Sequence, residues 1–283
     1  MSMEDKKSKH KSIMSWMIVA ILGAIWTLVA VMPFIFMVLN SFKERFEMLT
    51  KGVFSLPNTF YSDNYKAVFE GNIITYFTNS ILVLMISLTL LLLISACASY
   101  PLARFDFKLG KPIYGLIVAC MSIPLHITLI PVFKLSKNLQ LYDSILALIG
   151  PYVAMAIPIS VFILTSFMRE IPKEIEEAAQ IDGCNRYQMF FRIILPLSKP
   201  GLATLAIYNG VNMWNEFVFA YTLTQSAAHR TLPLAVWEFQ GEFTMNTPMI
   251  MAVLTITVVP MIILYIFMQD KLVKGMTAGA VKG

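Results

Sequence analysis

Four polar side chains recur inside an otherwise apolar run: Asn209, Asn212, Asn215 and Glu216, at i, i+3, i+6 and i+7. On a helix that spacing puts them near one face, with Tyr208 and Trp214 beside it. Amides and a carboxylate exchange paired hydrogen bonds with hydroxyl groups, and the face of a Tyr or Trp ring stacks on the C–H face of a sugar. The same amides can instead tie one membrane helix to another, because an unpaired polar group at membrane depth is costly. Both readings concern binding rather than bond-making. The sequence has no G-x-x-x-x-G-K-[ST] phosphate loop, no nucleophile placed beside a base and no His/Cys cluster. It therefore predicts no catalytic residue, no bound metal and no cofactor held by this chain. Cys97, Cys120 and Cys184 stand apart and read as free thiols.

The elements that carry these residues are set by composition. The chain is 57% hydrophobic and 14% charged, with mean hydropathy +0.69. A soluble domain needs about 25% charged residues to cover its surface, so this is a membrane protein, and apolar runs of helix-spanning length make the expected class all-α. Basic residues outnumber acidic ones, 22 to 17, but no basic stripe with interleaved aromatics points to nucleic acid. Six apolar runs approach the ~20 residues that a helix needs to cross a bilayer: 13–39, 77–99, 113–133, 145–167, 202–223 and 249–268. The first is too long for the core of a secretory signal and reads as a retained span. The chain thus divides into a basic tail (1–12), the first span (13–39), a loop (40–76), a core of five further spans (77–268) and a C-terminal tail (269–283).

Orientation follows from lysine and arginine. With both termini inside, fifteen of the 22 basic residues lie on the cytoplasmic side and seven outside, which places the loop 169–201 in the cytoplasm. In the first outside loop a short helix is expected after Ser62 or Asp63, with Tyr65, Val68 and Phe69 as its apolar side. The last outside loop is rich in Trp237, Glu238, Phe239, Glu242 and Phe243. Pro124, Pro131, Pro151 and Pro158 should bend spans three and four, and His126 reads as a packing residue.

The loop within 174–201 mixes charge with turn signals. Pro172 suits a first helical turn, and Glu174, Glu176 and Glu177 place negative charge near that helix's positive end. Ile175, Ala178 and Ala179 fall at i, i+3 and i+4 as a small-residue face that a partner can approach closely. Gly183 stands where a C-cap needs a left-handed residue. Tyr187, Phe190, Phe191 and Ile194 give a second amphipathic stretch, which Leu195-Pro196 should stop.

The spacing Glu177-Ala178-Ala179, three residues, Gly183, nine residues, Ile193, one residue, Leu195-Pro196 resembles the EAA loop of ABC-importer permeases. Ile171-Pro172-Lys173-Glu174, Pro200-Gly201, Trp214-Asn215-Glu216-Phe217 and the terminus 277–283 are similar to the maltose-type carbohydrate permeases. The resemblance implies a type I importer fold of six transmembrane helices in a bacterial inner (plasma) membrane. It implies a heterodimer with a second homologous permease, two ATPase subunits that use ATP and Mg2+, an extracytoplasmic solute-binding protein, and a sugar substrate, an oligosaccharide. Glu174, Glu177, Ala178, Ala179, Asp182, Gly183, Ile193, Leu195 and Pro196 would then couple to the ATPase, and the tail 277–283 would approach it. The last outside loop would reach toward the binding protein. Asn215 and Glu216, as part of the shared motif, fit a structural role, whereas Tyr208, Asn209 and Asn212 fit the substrate pathway. Another solute class, an ion-coupled transporter and a scaffold or receptor subunit are the alternatives.

Overall fold

The computed structural model describes residues 3–239 and 246–280 and divides into two compact units, Met1–Glu70 with Phe239–Ile256, and Gly71–Glu238 with Thr257–Gly283. The described residues are helical and contain no strand. Glu242 and Phe243 of the last loop, and 281–283 of the tail, lie outside them.

In the first unit, α1 (Met3–Ser41) carries a window of mean hydropathy 2.5 with none of its residues buried. Such a surface is at rest only in lipid or against another apolar chain. The helix begins within the expected basic tail rather than after it. The polar loop beyond it is built by tethers: the Ser41 hydroxyl meets Tyr65 Oη at 2.6 Å, and Asn64 Nδ2 donates to the carbonyls of Ser41 and Lys43, each at 2.8 Å. Lys43 is fully buried and donates to the Gly52 and Val53 carbonyls, which replace its hydration. Two short helices result, α2 (Arg45–Lys51), which the sequence did not announce, and α3 (Asp63–Glu70), which begins where expected. Val68 is buried and Phe69 is exposed, so the apolar side of α3 is narrower than its spacing implied.

The second unit runs through α4 (Ile73–Arg104), α5 (Gly110–Ala119) with a 3-10 turn, α6 (Leu125–Asn138), α7 (Leu146–Arg169) and α8 (Lys173–Ile181). It continues through α9 (Arg186–Met189), a π turn (Phe190–Ile194), α10 (Leu195–Leu197), α11 (Lys199–Trp214), α12 (Val218–Leu223) and a 3-10 segment (Leu232–Phe239). The last helix, α13 (Thr247–Ala280), belongs to the first unit up to Ile256 and to the second from Thr257, and it extends past the expected end of the sixth span at 268. Among the described residues four helices are long and apolar enough to cross a membrane, or up to six if each of two bent pairs is one span.

The bend expected at Pro124 is present, and the fifth run is broken as well. The third run turns by 100° between α5 and α6, where Pro124 caps α6 and holds Ile123 in the extended conformation that a following proline demands. The fifth run ends its helix at Trp214 and restarts at Val218, so Asn215 and Glu216 lie in a break and not on the helical face of Asn209 and Asn212.

α4 and α7 form the most extensive helix pair of this unit. Ser87, Ser95, Ala96 and Ser99 of α4 and Ser160, Val161 and Thr165 of α7 are buried, and the Ser99 hydroxyl donates to the Val161 carbonyl at 3.4 Å. α11 joins the bundle at Gly201, where a Cβ would stand 2.9 Å from Phe167 Cγ of α7. Gly201→Ala is therefore expected to lower the melting temperature by overpacking, a cost of about 1–3 kcal/mol. Gly150→Ala, where a Cβ meets nothing within 4 Å, should leave it unchanged or raise it. Thermal unfolding of the detergent-solubilised assembly compares the two.

Candidate functional site

A cavity of about 330 Å³ lies between the α6–α7 and α11–α12 segments, at the lower end of the ~300–1,000 Å³ typical of small-molecule pockets. One wall comes from α7, with Tyr152, Ala156 and Ile159 at i, i+4 and i+7. The other comes from Tyr208, Asn209, Asn212, Glu216 and Phe219. Tyr208 is half exposed at this wall, and the Asn212 amide donates to the Tyr208 carbonyl at 2.9 Å. Asn209 is 2% exposed, and its Nδ2 donates to Ser160 Oγ and the Leu205 carbonyl, both at 3.0 Å, so its amide ties α11 to α7 at the cavity edge.

Glu216 caps the restart of the chain. Its two carboxylate oxygens accept from Phe219 N at 2.8 Å and Ala220 N at 3.1 Å, and the Tyr152 hydroxyl stands beside it. The break leaves backbone N–H groups without helical partners, and the carboxylate satisfies two of them. Two further residues that the spacing grouped with this wall, Trp214 and Asn215, are elsewhere. Trp214 is buried with its ring edge-on to Phe77, centroids 5.8 Å apart, and Asn215 is exposed with its amide donating to the Val211 carbonyl. Neither lines the cavity. The α7 wall was missed because its run is apolar on every side, which hides the stripe holding Tyr152. The arrangement supplies aromatic faces and hydrogen-bonding groups.

The second constellation begins where α7 ends. Pro172 sits at the N-cap of α8 rather than within its first turn, with Glu174 and Glu176 following in that turn. Glu174, Glu177, Ala178 and Asp182 are exposed. Ala179 is buried among Tyr100, Met168 and Phe190, so the expected small-residue face is divided, with Ala178 outward and Ala179 inward. Glu176, which the motif did not single out, points inward to Arg104 at the end of α4, with Oε1 and Nε 2.6 Å apart and the side chains 13% and 3% exposed. Arg104 Nη2 also donates to the Ile171 carbonyl at 2.7 Å, and Arg169 Nη2 to the Leu102 carbonyl at 3.2 Å. These contacts fasten α8 to the ends of α4 and α7.

Past α8 the chain reverses at Gly183, φ +81°, where Gly183 N bonds the Gln180 carbonyl and Cys184 N the Ala179 carbonyl. That pair of bonds is a Schellman cap, and its left-handed residue suits only glycine without strain. Asn185 and Gln188 then cap α9 reciprocally, both bonds at 2.9 Å. Leu195-Pro196 does not stop this helix. The wider π turn at Phe190–Ile194 accommodates the missing proline N–H, and the helix runs on to Leu197 before a 66° bend at Ser198. Ile193 and Leu195 are half-buried against the cluster around Phe190, and Pro196 is exposed. Tyr187 and Phe191 are exposed while Phe190 and Ile194 are buried, which splits the expected amphipathic face.

At the opposite end of α7, Asp143 adopts φ +57° and clasps the segment after α12. Its carboxylate accepts from Gln225 N at 2.7 Å, Ser226 N at 2.9 Å and the Ser226 hydroxyl at 3.1 Å. Burial pushes its pKa up, but these donors, with His229 nearby, outweigh burial and hold it below the ordinary 3.8. The clasp thus stabilises the fold fully above the unfolded carboxylate range and loses that contribution as pH falls through the depressed folded value. The melting-temperature gap between wild type and Asp143→Asn should therefore be constant near neutrality. It should start to narrow below about pH 4, where the unfolded carboxyl begins to protonate, and vanish only further down, as followed by scanning fluorimetry. At the other end, Arg104→Ala or Glu176→Ala strands a buried charge. Each is expected to cost about 3–5 kcal/mol, with the double Arg104→Leu/Glu176→Leu recovering part of it. The same melts, run on all three variants, check this.

Comparison with known proteins agrees with this architecture. The profile of the binding-protein-dependent transport system inner membrane component family matches residues 91–278. An ABC transporter permease protein, ORF2, of Caldicellulosiruptor sp. (strain Rt8B.4) is 52% identical over 260 residues, covering 92% of this chain and 94% of the relative. The arabinooligosaccharides transport system permease protein AraQ of Halalkalibacterium halodurans is 35% identical, covering 98% and 100%. The sulfoquinovosyl glycerol transport system permease protein SmoH of Agrobacterium fabrum is 37% identical, covering 89% and 88%. A bacterial ABC transporter that imports the acidic polysaccharide alginate has the same fold, with TM-score 0.80 at 20% identity over 95% of this chain and 98% of that one. With the profile spanning most of its length and relatives matching nearly end to end, the chain belongs to the family of inner membrane components of binding-protein-dependent transport systems.

Proposed function

We propose that this permease chain forms half of the translocation pathway of an ATP-driven importer of saccharides, with oligosaccharides as the transported class. Its partners are a second, different permease, two ATPase subunits that bind ATP and Mg2+, and an extracytoplasmic binding protein. Relatives named for arabinooligosaccharides, sulfoquinovosyl glycerol and diacetylchitobiose support the saccharide class. The distribution of lysine and arginine supports placing both termini and α8 in the cytoplasm.

The observation that carries the reading is the two-sided construction of α8. Its inner side is fixed by Ala179 and by the Glu176–Arg104 pair, while Glu174, Glu177, Ala178 and Asp182 remain free. A helix held this firmly from within and left bare outside is a lever for a neighbouring protein. The neighbour pushes on the free face, and the ion pair passes the displacement to α4. Gly183 and the bend at Ser198 set the angles of the elbow, with Ile193, Leu195 and Pro196 between them. At the far side of the bundle, Tyr152, Tyr208 and Asn212 offer the sugar ring its stacking faces and hydroxyl partners, and Asn209 and Glu216 hold that wall in place.

The complete assembly in proteoliposomes tests this. Uptake of saccharide is expected to require internal ATP and to survive collapse of the proton gradient. Ala178→Trp should reduce uptake at least ten-fold in an assembly whose melting temperature is unchanged. Normal uptake and normal saccharide-stimulated ATP hydrolysis with tryptophan at 178 would sink the lever. Uptake that dies with the gradient while ATP is maintained would mean an ion-coupled transporter instead.

A further inference from the structure

A second cavity, about 300 Å³, lies at the end of α7 away from α8, where the segments around Tyr142 and after α12 meet. A helix of 24 residues separates the two ends, about 36 Å at 1.5 Å per residue. Phe217, Tyr221 and Trp237 form a stack here: Tyr221 and Trp237 have centroids 5.3 Å apart and planes 27° apart, and Phe217 stacks on both. Tyr221 is 56% and Trp237 44% exposed, and both line the cavity. Arg230 and Gln225 stand on the same lining, and the Tyr142 hydroxyl contacts Gln225 Oε1 at 3.4 Å.

This corner is held in shape from several directions. The Asp143 clasp fixes residues 225 and 226. Asn79 Nδ2 donates to the carbonyls of Ala228 and Arg230, each at 2.9 Å, and the Ser80 hydroxyl accepts from Leu232 N at 2.8 Å. Asn72 Nδ2 fastens Glu238, next to Trp237, at 2.6 Å. A preorganised wall loses little on binding, which is what a ligand site requires and what a packing surface of loop aromatics does not.

The lining chemistry narrows the ligand. Stacked aromatic faces attract either a cation or the polarised C–H face of a sugar ring. Arg230 on the lining, and the Lys137 ammonium 5.0 Å from the Tyr142 ring centroid, oppose a cation. A guanidinium and an amide together engage vicinal hydroxyls or a carboxylate in two-point contacts. We infer that the Tyr221–Trp237 stack, with Arg230 and Gln225, is a second saccharide subsite, separate from the cavity at Tyr152 and Asn212. It takes one neutral or acidic sugar ring. The inference rests on the saccharide reading given above and adds the place where the ring is held.

The test uses the full assembly in proteoliposomes with maltotriose, cellotriose, xylotriose and trigalacturonate. If the wild type takes up none of them, the saccharide reading itself fails and this subsite falls with it. With a transported trisaccharide identified, Trp237→Ala is expected to cut uptake at least ten-fold at saturating binding protein. Trp237→Tyr should restore at least half of it, and Arg230→Gln should reduce trigalacturonate uptake more than that of a neutral trisaccharide. Docking of the sugar-free binding protein should stay within two-fold throughout. Uptake by Trp237→Ala within two-fold of wild type overturns the subsite while leaving the importer reading intact. A ten-fold loss of docking overturns it too, because the stack would then be a surface for protein. Should Trp237→Ala fail to assemble, photolabelling of the wild type with a diazirine form of the transported trisaccharide decides. Label on Tyr221 or Trp237 supports the subsite, and label confined to other residues overturns it.

Discussion

Lipid tails are as apolar as leucine, so the hydrophobic effect that assembles soluble helices gives membrane helices little reason to associate. The α4–α7 pair answers that constraint with small side chains. Serine, alanine and threonine buried along the contact let the two backbones approach. Close approach recovers dispersion energy that lipid cannot match at the same spot. Everything that bears on function in the second unit is attached to this pair: the cavity wall of Tyr152 near one end, the α8 elbow at the other, and α11 wedged against α7 where glycine 201 gives it room.

The same constraint explains why the polar residues are where they are. Breaks in helices at membrane depth release N–H and C=O groups that water cannot satisfy. The break at 215–217 is made tolerable by Glu216, which accepts from two backbone donors of α12, and by Asn215, which folds back onto its own helix. Polar side chains that read as a ligand-facing stripe are thus divided between holding the backbone and facing the cavity. Asn209 does both, since it borders the cavity while its amide bonds Ser160.

The number and positions of apolar runs were legible because length and charge exclusion survive any detail of packing. Pro124 marked where the third run bends, but the size of the bend was not legible, since hydropathy does not distinguish a shallow kink from a turn of 100°. The spacing argument failed for Asn215 for a related reason: periodicity assumes a continuous helix, and the chain broke after Trp214, although Glu216 still reaches the cavity wall from the break. In α8 the existence of an amphipathic helix and its glycine cap could be read from residue types alone. Which of three neighbouring glutamates turns inward could not, because that depends on where Arg104 arrives from α4, 72 positions away in sequence. α2 was missed because its seven residues carry no decisive period, and its place is set by Lys43, Glu47 and Asn58 rather than by propensity.

A lever works only if its joints are stiffer than the motion it transmits. At the elbow, the Arg104–Glu176 pair is almost removed from water, so solvent and salt screen it little and its partners have few alternatives. Arg104 also holds the Ile171 carbonyl, which fixes the short connection between α7 and α8. On the other strand of the elbow, the contact of Gly201 with Phe167 leaves no slack for α11 to slide against α7. A displacement of α8 therefore reaches α4 through a charged joint and α7 through the connection at Ile171. Motion of α11 reaches α7 again through a packed one. The cavity wall formed by Tyr152 and Asn212 lies on α7 and α11, the two helices that share that packed joint.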